Sequence, residues 1–132
     1  MKTENDDIVI VGAGPYGLSL AAYLRHFGIA HRIIGVPMEN WREQMPRGMM
    51  LKSEGFASNL YDPASRGTLR DYCLSARLPY ADLGQPVSVE VFCEYGMAFQ
   101  RRFVPHLEVA KVLSVAAAGD RFSLALDDGR LL

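Results

Sequence analysis

The stretch DDIVIVGAGPYGLSLAAYL, residues Asp6–Leu24, sets three glycines, Gly12, Gly14 and Gly17, where one hydrophobic pattern gives way to another. Ile8–Val11 is a short run of β-branched residues, as a strand buried in a parallel sheet requires. Tyr16–Phe27 has helical spacing, with Leu20, Tyr23, Leu24 and Phe27 on one face. Glycine costs stability inside regular structure, so three at one junction mark a backbone that turns tightly or meets something closely. Gly12 permits the strand-to-helix turn, Gly14 lets the backbone approach a pyrophosphate, and Gly17 lets the helix pack on the strand. Pro15 fits the first helical turn, where its missing N–H is harmless. An anion at this point meets free N–H groups and the positive end of the helix macrodipole. Strand before and helix after, the spacing predicts a dinucleotide site with Gly12, Gly14, Pro15, Tyr16 and Gly17 as its contacts.

Composition bounds the rest. A chain of 132 residues, 49% hydrophobic and 22% charged, suits a single domain, residues 1–132, able to bury a core. The net charge of -1 offers no electrostatic basis for binding nucleic acid. No apolar run approaches the roughly 20 residues of a membrane span, so neither nucleic acid nor membrane is expected as a partner. The opening MKTENDD is polar and unlike a signal peptide. Cys73 and Cys93 are far apart and form no CxxC pair, which reads as buried thiols in a reducing compartment. The expected location is the cytoplasm.

Working outward, Gly28 stops the first helix and Arg32–Ile34 resumes as a second strand, a βαβ start joined right-handedly. From Val36 to Pro63, prolines and glycines punctuate a long irregular stretch carrying Trp41, Met45, Met49, Met50 and Phe56. That is too apolar for disorder, so the loop is expected to pack against something. Thr68 and Asp71 have capping-box spacing for a helix to about Arg77. Ser88 caps a longer helix to about Phe103, with Val89, Phe92, Gly96, Phe99 and Phe103 along one stripe. Leu107–Val115 reads as a strand, Phe122, Leu124 and Leu126 alternate, and Asp128-Gly129 turns into a strand at Arg130–Leu132. The expected fold class is α/β: a Rossmann-like βαβ parallel sheet with an antiparallel β-meander, incomplete at its C-terminal end.

Other chemistry has little support. His26, His31 and His106 lack metal-ligand spacing and read as surface or capping residues. Ser19 and Ser53 lack a nucleophile-elbow context. Arg101-Arg102 reads as the solvated end of a helix. Catalytic residues stay unassigned, and no acid or nucleophile stands out.

The segment IVIVGAGPYGLSLAAYLRHFGI resembles the N-terminal FAD-binding fingerprint of two-dinucleotide-binding-domain flavoproteins, among them the flavin-containing monooxygenases, amino-acid N-hydroxylases and pyridine-nucleotide oxidoreductases. NWREQMPRGMMLKSEGFASNLYDP resembles the flavin-proximal segment of the class B monooxygenase-like branch, with Trp41 its clearest match. FVPHLEVAKVLSV and FSLALDDGR are similar to that family's strand and meander, in which a valine backbone touches adenine; the position maps to Val112. The resemblance implies FAD bound to this chain and NADPH bound through a domain absent from it. It also implies oxygenation of a small-molecule substrate, a soft nucleophile such as an amine or sulfide, by the longer protein. Lys52, Ser53 and Asn59 are the polar candidates to face the flavin, with a plain loop role as the alternative for each.

Two departures from the family stand out. The acid that bonds the adenosine ribose is expected at the end of the second strand, where this chain has Gly35. Glu39 is the nearest acid, either reaching back to the ribose or standing as a solvated loop charge. A glutamate placed at position 35 would restore the contact if the loop admits a side chain. The second departure is the absence of a second GxGxxG and of the family's returning strand, so the chain reads as the N-terminal piece of a larger oxidoreductase, expected to be inactive on its own. Two alternatives stay open: an NAD(P)-binding module, with Arg32 and Arg42 near a 2′-phosphate, and a ligand-free interaction domain.

Overall fold

The computed structural model describes residues 7–132, so residues 1–6, with most of the polar N-terminal stretch, lie outside the described residues. Strand β1 (Val9–Val11) leads into helix α1 (Pro15–His26), and β2 (Arg32–Ile34) pairs with β1 in parallel, Ile10 opposite Ile33. A single parallel bridge then sets Glu108 beside Ile34. The Glu108 amide donates to the Ile33 carbonyl at 3.0 Å, and the Gly35 amide to the Glu108 carbonyl at 3.1 Å. The parallel layer therefore runs residue 108, β2, β1.

Leu107–Val115 is not the continuous strand its sequence suggests. Its first part joins β2, whereas β3 (Val112–Ala118) pairs antiparallel with β4 (Arg121–Leu126) in a separate ribbon, with a register shift between Val112 and Ser114. The Asp128-Gly129 turn forms as expected, with Gly129 at φ 88°, and Leu132 exchanges hydrogen bonds with Leu124.

Helix α1 packs on a face other than the one its large residues mark. Leu18, Ala21 and Ala22 are buried, whereas Leu20 is 49% exposed and Phe27 64%. Gly17 sits against the Gly12 carbonyl and Ile10, so the helix lies close to β1, and of the bulky face only Leu24 packs against the core.

Helix α2 (Glu39–Glu43), too short to announce itself, interrupts the irregular stretch, as does a 3₁₀ turn at Gly55–Ala57. Helix α3 (Leu69–Ala76) starts at Thr68, whose hydroxyl accepts the Asp71 amide at 3.1 Å. Helix α4 (Val89–Phe103) starts at Ser88, which accepts the Val91 amide at 3.1 Å. Its stripe of Val89, Phe92, Gly96 and Phe99 is buried as the spacing predicts.

Polar hubs order the loop between Leu51 and Thr68. Tyr95 of α4 accepts the Leu60 amide at 2.8 Å and donates to the Gly67 carbonyl at 2.5 Å. The Asp62 carboxylate accepts the amides of Arg66 and Gly67. Both cysteines are free and buried, and burial pushes each thiol's pKa up. No helix among the described residues is long and apolar enough to cross a membrane.

Candidate nucleotide-binding cleft

Each of the three glycines answers a different demand. Gly12 has φ +109°, a conformation that side chains rarely adopt, and its amide donates to the Ile34 carbonyl at 2.8 Å. A Cβ at Gly17 would collide with the Gly12 carbonyl oxygen. Gly14 differs from both. Its backbone, φ -80° and ψ -173°, suits any residue, and a Cβ there would meet nothing within 4 Å. Nothing in the protein itself demands glycine at 14, so the open space beside it is room for a ligand. Gly14 also gives α1 no side-chain cap, which leaves the N–H groups of the first turn turned toward that space. An unhindered backbone at an uncapped helix N-terminus fits a phosphate-bearing cofactor.

The glycine turn forms the floor of an open cleft of about 520 Å³ at the carboxyl ends of β1 and β2, where parallel α/β sheets bind ligands. One wall comes from Gly35, Val36 and the start of α2, with Glu39, Asn40 and Trp41. Ala110, Lys111 and Val112 form the other. The α2 wall is anchored at Met38, fully buried at φ 57°, whose amide donates to the Ala13 carbonyl at 2.9 Å. Trp41 packs edge-on against Phe92 of α4, ring centroids 4.8 Å apart.

Of the contacts expected from sequence, the cleft gathers Gly12, Gly14, Pro15, Tyr16 and Gly17 of the floor, and Gly35, Glu39, Trp41 and Val112 of the walls. Lys52, Ser53 and Asn59 do not line it. Asn59 ties its own loop to the start of α3, accepting the Leu69 amide at 2.8 Å and donating to the Phe56 carbonyl at 2.9 Å. Ser53 shares a hydrogen bond with Ser58, Oγ to Oγ, at 2.6 Å. For these two the loop alternative describes the geometry.

Gly35 is required by packing. A Cβ there would lie 2.7 Å from the Ala13 nitrogen and 3.0 Å from the Gly12 carbonyl carbon, so the close contact of β2's end with the glycine turn leaves no room for a side chain. The nearby acid is Glu39, whose Oε1 lies 2.6 Å from Lys111 Nζ across the cleft. That hydrogen bond holds the Lys111 ammonium's pKa above its ordinary value. Sequence reasoning missed Lys111. Its one signal was its place immediately before Val112.

Arg32 is engaged away from the cleft. Its Nε and Nη2 donate to the two oxygens of Glu108 at 2.9 and 2.6 Å, and Arg130 adds a further bond at 2.9 Å. These cations hold the Glu108 carboxyl down at about 2. Neither Arg32 nor Arg42 lines the cleft. His31 and His106 are not simple surface residues: their Nε2 atoms are 2.7 Å apart. His31 Nδ1 lies 2.8 Å from the Ile29 carbonyl and so carries a proton; with His31 neutral, His106 Nε2 donates to His31 Nε2. His106 Nδ1 is buried and has no hydrogen-bond partner among the described residues. Among the described residues no group of three or more His, Cys, Asp or Glu is placed to hold a metal ion.

Residues 5–57, which include the whole glycine turn and α2, match the family model described as FAD binding domain. No curated protein matches the chain in sequence. Similar solved structures include a flavin-containing monooxygenase from Stenotrophomonas maltophilia, 20% identical, TM-score 0.73 over 96% of this chain and 35% of that one. A bacillithiol disulfide reductase from Staphylococcus aureus is 18% identical, TM-score 0.69, with coverages of 96% and 35%. An oxidized steroid monooxygenase bound to NADP is 19% identical, TM-score 0.71, with coverages of 96% and 24%. The family match covers the glycine turn and the α2 wall, fewer than half of the residues, and the solved structures share the fold over nearly the whole chain. The chain spans about a third or less of the length of these structures.

Proposed function

We propose that the chain is the FAD-binding portion of an NAD(P)H-dependent flavoprotein oxidoreductase of the monooxygenase-like kind. The observation that carries the proposal is Gly14, a glycine the fold does not need, opening onto an uncapped helix N-terminus. In this reading Gly12, Gly14, Pro15, Tyr16 and Gly17 hold the pyrophosphate, Glu39 bonds the adenosine ribose, and the Val112 backbone flanks the adenine. Trp41 closes the α2 side and helps exclude water. FAD supplies the redox chemistry when bound, and the protein's part is binding, orientation and shielding. NADPH and the small-molecule substrate would be held outside these 132 residues, which contain no second GxGxxG. The NAD(P)-module alternative loses its sequence argument, since Arg32 is committed to Glu108 and Arg42 lies off the cleft.

The test is an FAD titration of the purified chain and of Gly14→Val, read by quenching of flavin fluorescence. Saturable binding that Gly14→Val abolishes, with the circular dichroism spectrum unchanged, is the expected result. Binding of equal strength in the two proteins would remove the glycine turn from the site.

A further inference from the structure

We propose that Lys111 is a positioning residue for Glu39, and that the pair together forms a receptor for the ribose hydroxyls across the mouth of the cleft. The inference rests on the FAD-binding reading above and goes beyond it by naming what fixes the acid.

Position 35 cannot carry the ribose acid, because any side chain there meets the backbone of Ala13 and Gly12. A carboxylate in this part of the cleft must come from elsewhere, and Glu39 lines it. A glutamate in the first turn of a five-residue helix is a poorly defined acceptor on its own, since its side chain has three rotatable bonds and side-chain order has an entropic cost. Lys111 narrows that freedom. Its ammonium takes Oε1 at 2.6 Å, and Oε2 has no hydrogen-bond partner among the described residues.

Both ends of the pair are held by their backbones. The Lys111 amide donates to Asp127 Oδ1 at 2.9 Å, and the Asp127 amide donates to the Lys111 carbonyl at 2.9 Å. On the other side Glu39 follows Met38, which is buried and hydrogen-bonded to Ala13. The pair therefore joins two fixed points on opposite walls, with one carboxylate oxygen committed and the other left to accept. A sugar diol offers donors of the kind that oxygen needs, and a charge-assisted acceptor suits them.

The experiment compares binding of ADP and 2′,3′-dideoxy-ADP to the 132-residue chain, by calorimetry, in the wild type, Glu39→Gln, Lys111→Met, Lys111→Arg and the double variant Glu39→Gln/Lys111→Met. A charge-assisted hydrogen bond makes the wild-type preference for the hydroxyl-bearing nucleotide about tenfold. Glu39→Gln and Lys111→Met should each bring that preference close to one, the double variant should add nothing further, and Lys111→Arg should restore much of it. An undiminished preference in Lys111→Met overturns the proposal. Equal weakening of both nucleotides by Lys111→Met, additive with Glu39→Gln, also overturns it, because Lys111 would then touch the nucleotide itself. A lowered melting temperature with unchanged preference would make the pair a structural staple only. FAD binding that Gly14→Val abolishes, with no hydroxyl preference in the wild type, sinks the pair but leaves the cofactor reading intact. No binding of FAD or ADP at all sinks both.

Discussion

Met38 occupies a slot that exists only because residue 96 is glycine. A Cβ at Gly96 would lie 2.6 Å from both Cγ and Sδ of the methionine. The contact joins the middle of α4 to the left-handed residue that starts α2, and so fixes where Glu39, Asn40 and Trp41 stand relative to the glycine turn.

Gly96→Ala should therefore destabilise the domain by about 1–3 kcal/mol, the usual cost of overpacking a filled core. Urea unfolding checks the value. Because the two residues share one contact, Met38→Ala combined with Gly96→Ala should cost less than the sum of the single changes.

The glycine turn should separate folding from binding. Gly12→Val forces a side chain into φ +109° and is expected to lose roughly 1–3 kcal/mol of stability together with ligand affinity. Gly14→Val, at an unstrained and uncrowded position, should keep its melting temperature within a degree or two, a shift of about 0.5 kcal/mol or less. Thermal melts of the two variants, beside FAD titrations, show whether the split holds.

Gly35→Glu is the reverse of a repair. Adding an acid where the flavoprotein pattern has one should yield a protein that is less stable and binds FAD no better, because the added Cβ is 2.7 Å from the Ala13 nitrogen. Tighter FAD binding by a well-folded Gly35→Glu protein would contradict the packing of β2 against the turn.

Acid should weaken the domain in two separate windows. His106 has its pKa lowered, first by burial and then by His31 and Arg25, so the unfolded chain takes up its proton more readily. The stability His106 contributes is complete above its ordinary value of 6.5 and falls as pH drops below it. Glu108, held at about 2, keeps its contribution above about 4.5 and loses it as pH falls from there toward 2. Solvent reaches Glu108 and both its arginines, so the screened loss is roughly 1 kcal/mol. Stability measured against pH should lose the upper step in His106→Gln and the lower step in Glu108→Gln.

What could be read in the sequence was whatever a local rule governs. The βαβ start, the different demands on Gly12 and Gly17, the Thr68 and Ser88 caps and the Asp128-Gly129 turn each depend on a few neighbouring residues. The packing face of α1 was not legible, because the strands select the small residues Ala21 and Ala22 over the larger, more hydrophobic ones. Nor was the break in Leu107–Val115, where Glu108 pairs with β2 while Val112 is already paired to Leu126. Asn59 does not line the cleft, since its side chain ties Phe56 to the start of α3. A lone lysine has no periodic signature, and Lys111 takes its position from Asp127, sixteen residues away.

Adjacent side chains of β2 enter different interiors: Ile33 packs with Leu18, Met38 and the helices, and Ile34 with Ala110, Leu124 and Leu126 of the meander. The cleft thus lies along a seam between two cores that share the short strands β1 and β2, with Val9 and Ile34 on the meander side and Ile10 and Ile33 on the helical side. Its width is set by those strands, by the bonds from residue 108 and by the Glu39–Lys111 pair. Loosening the meander side alone, as Ile34→Ala would, should let the Val112 wall drift from the glycine floor while the helical body stays folded, so that this domain would fail as a holder before it fails as a fold.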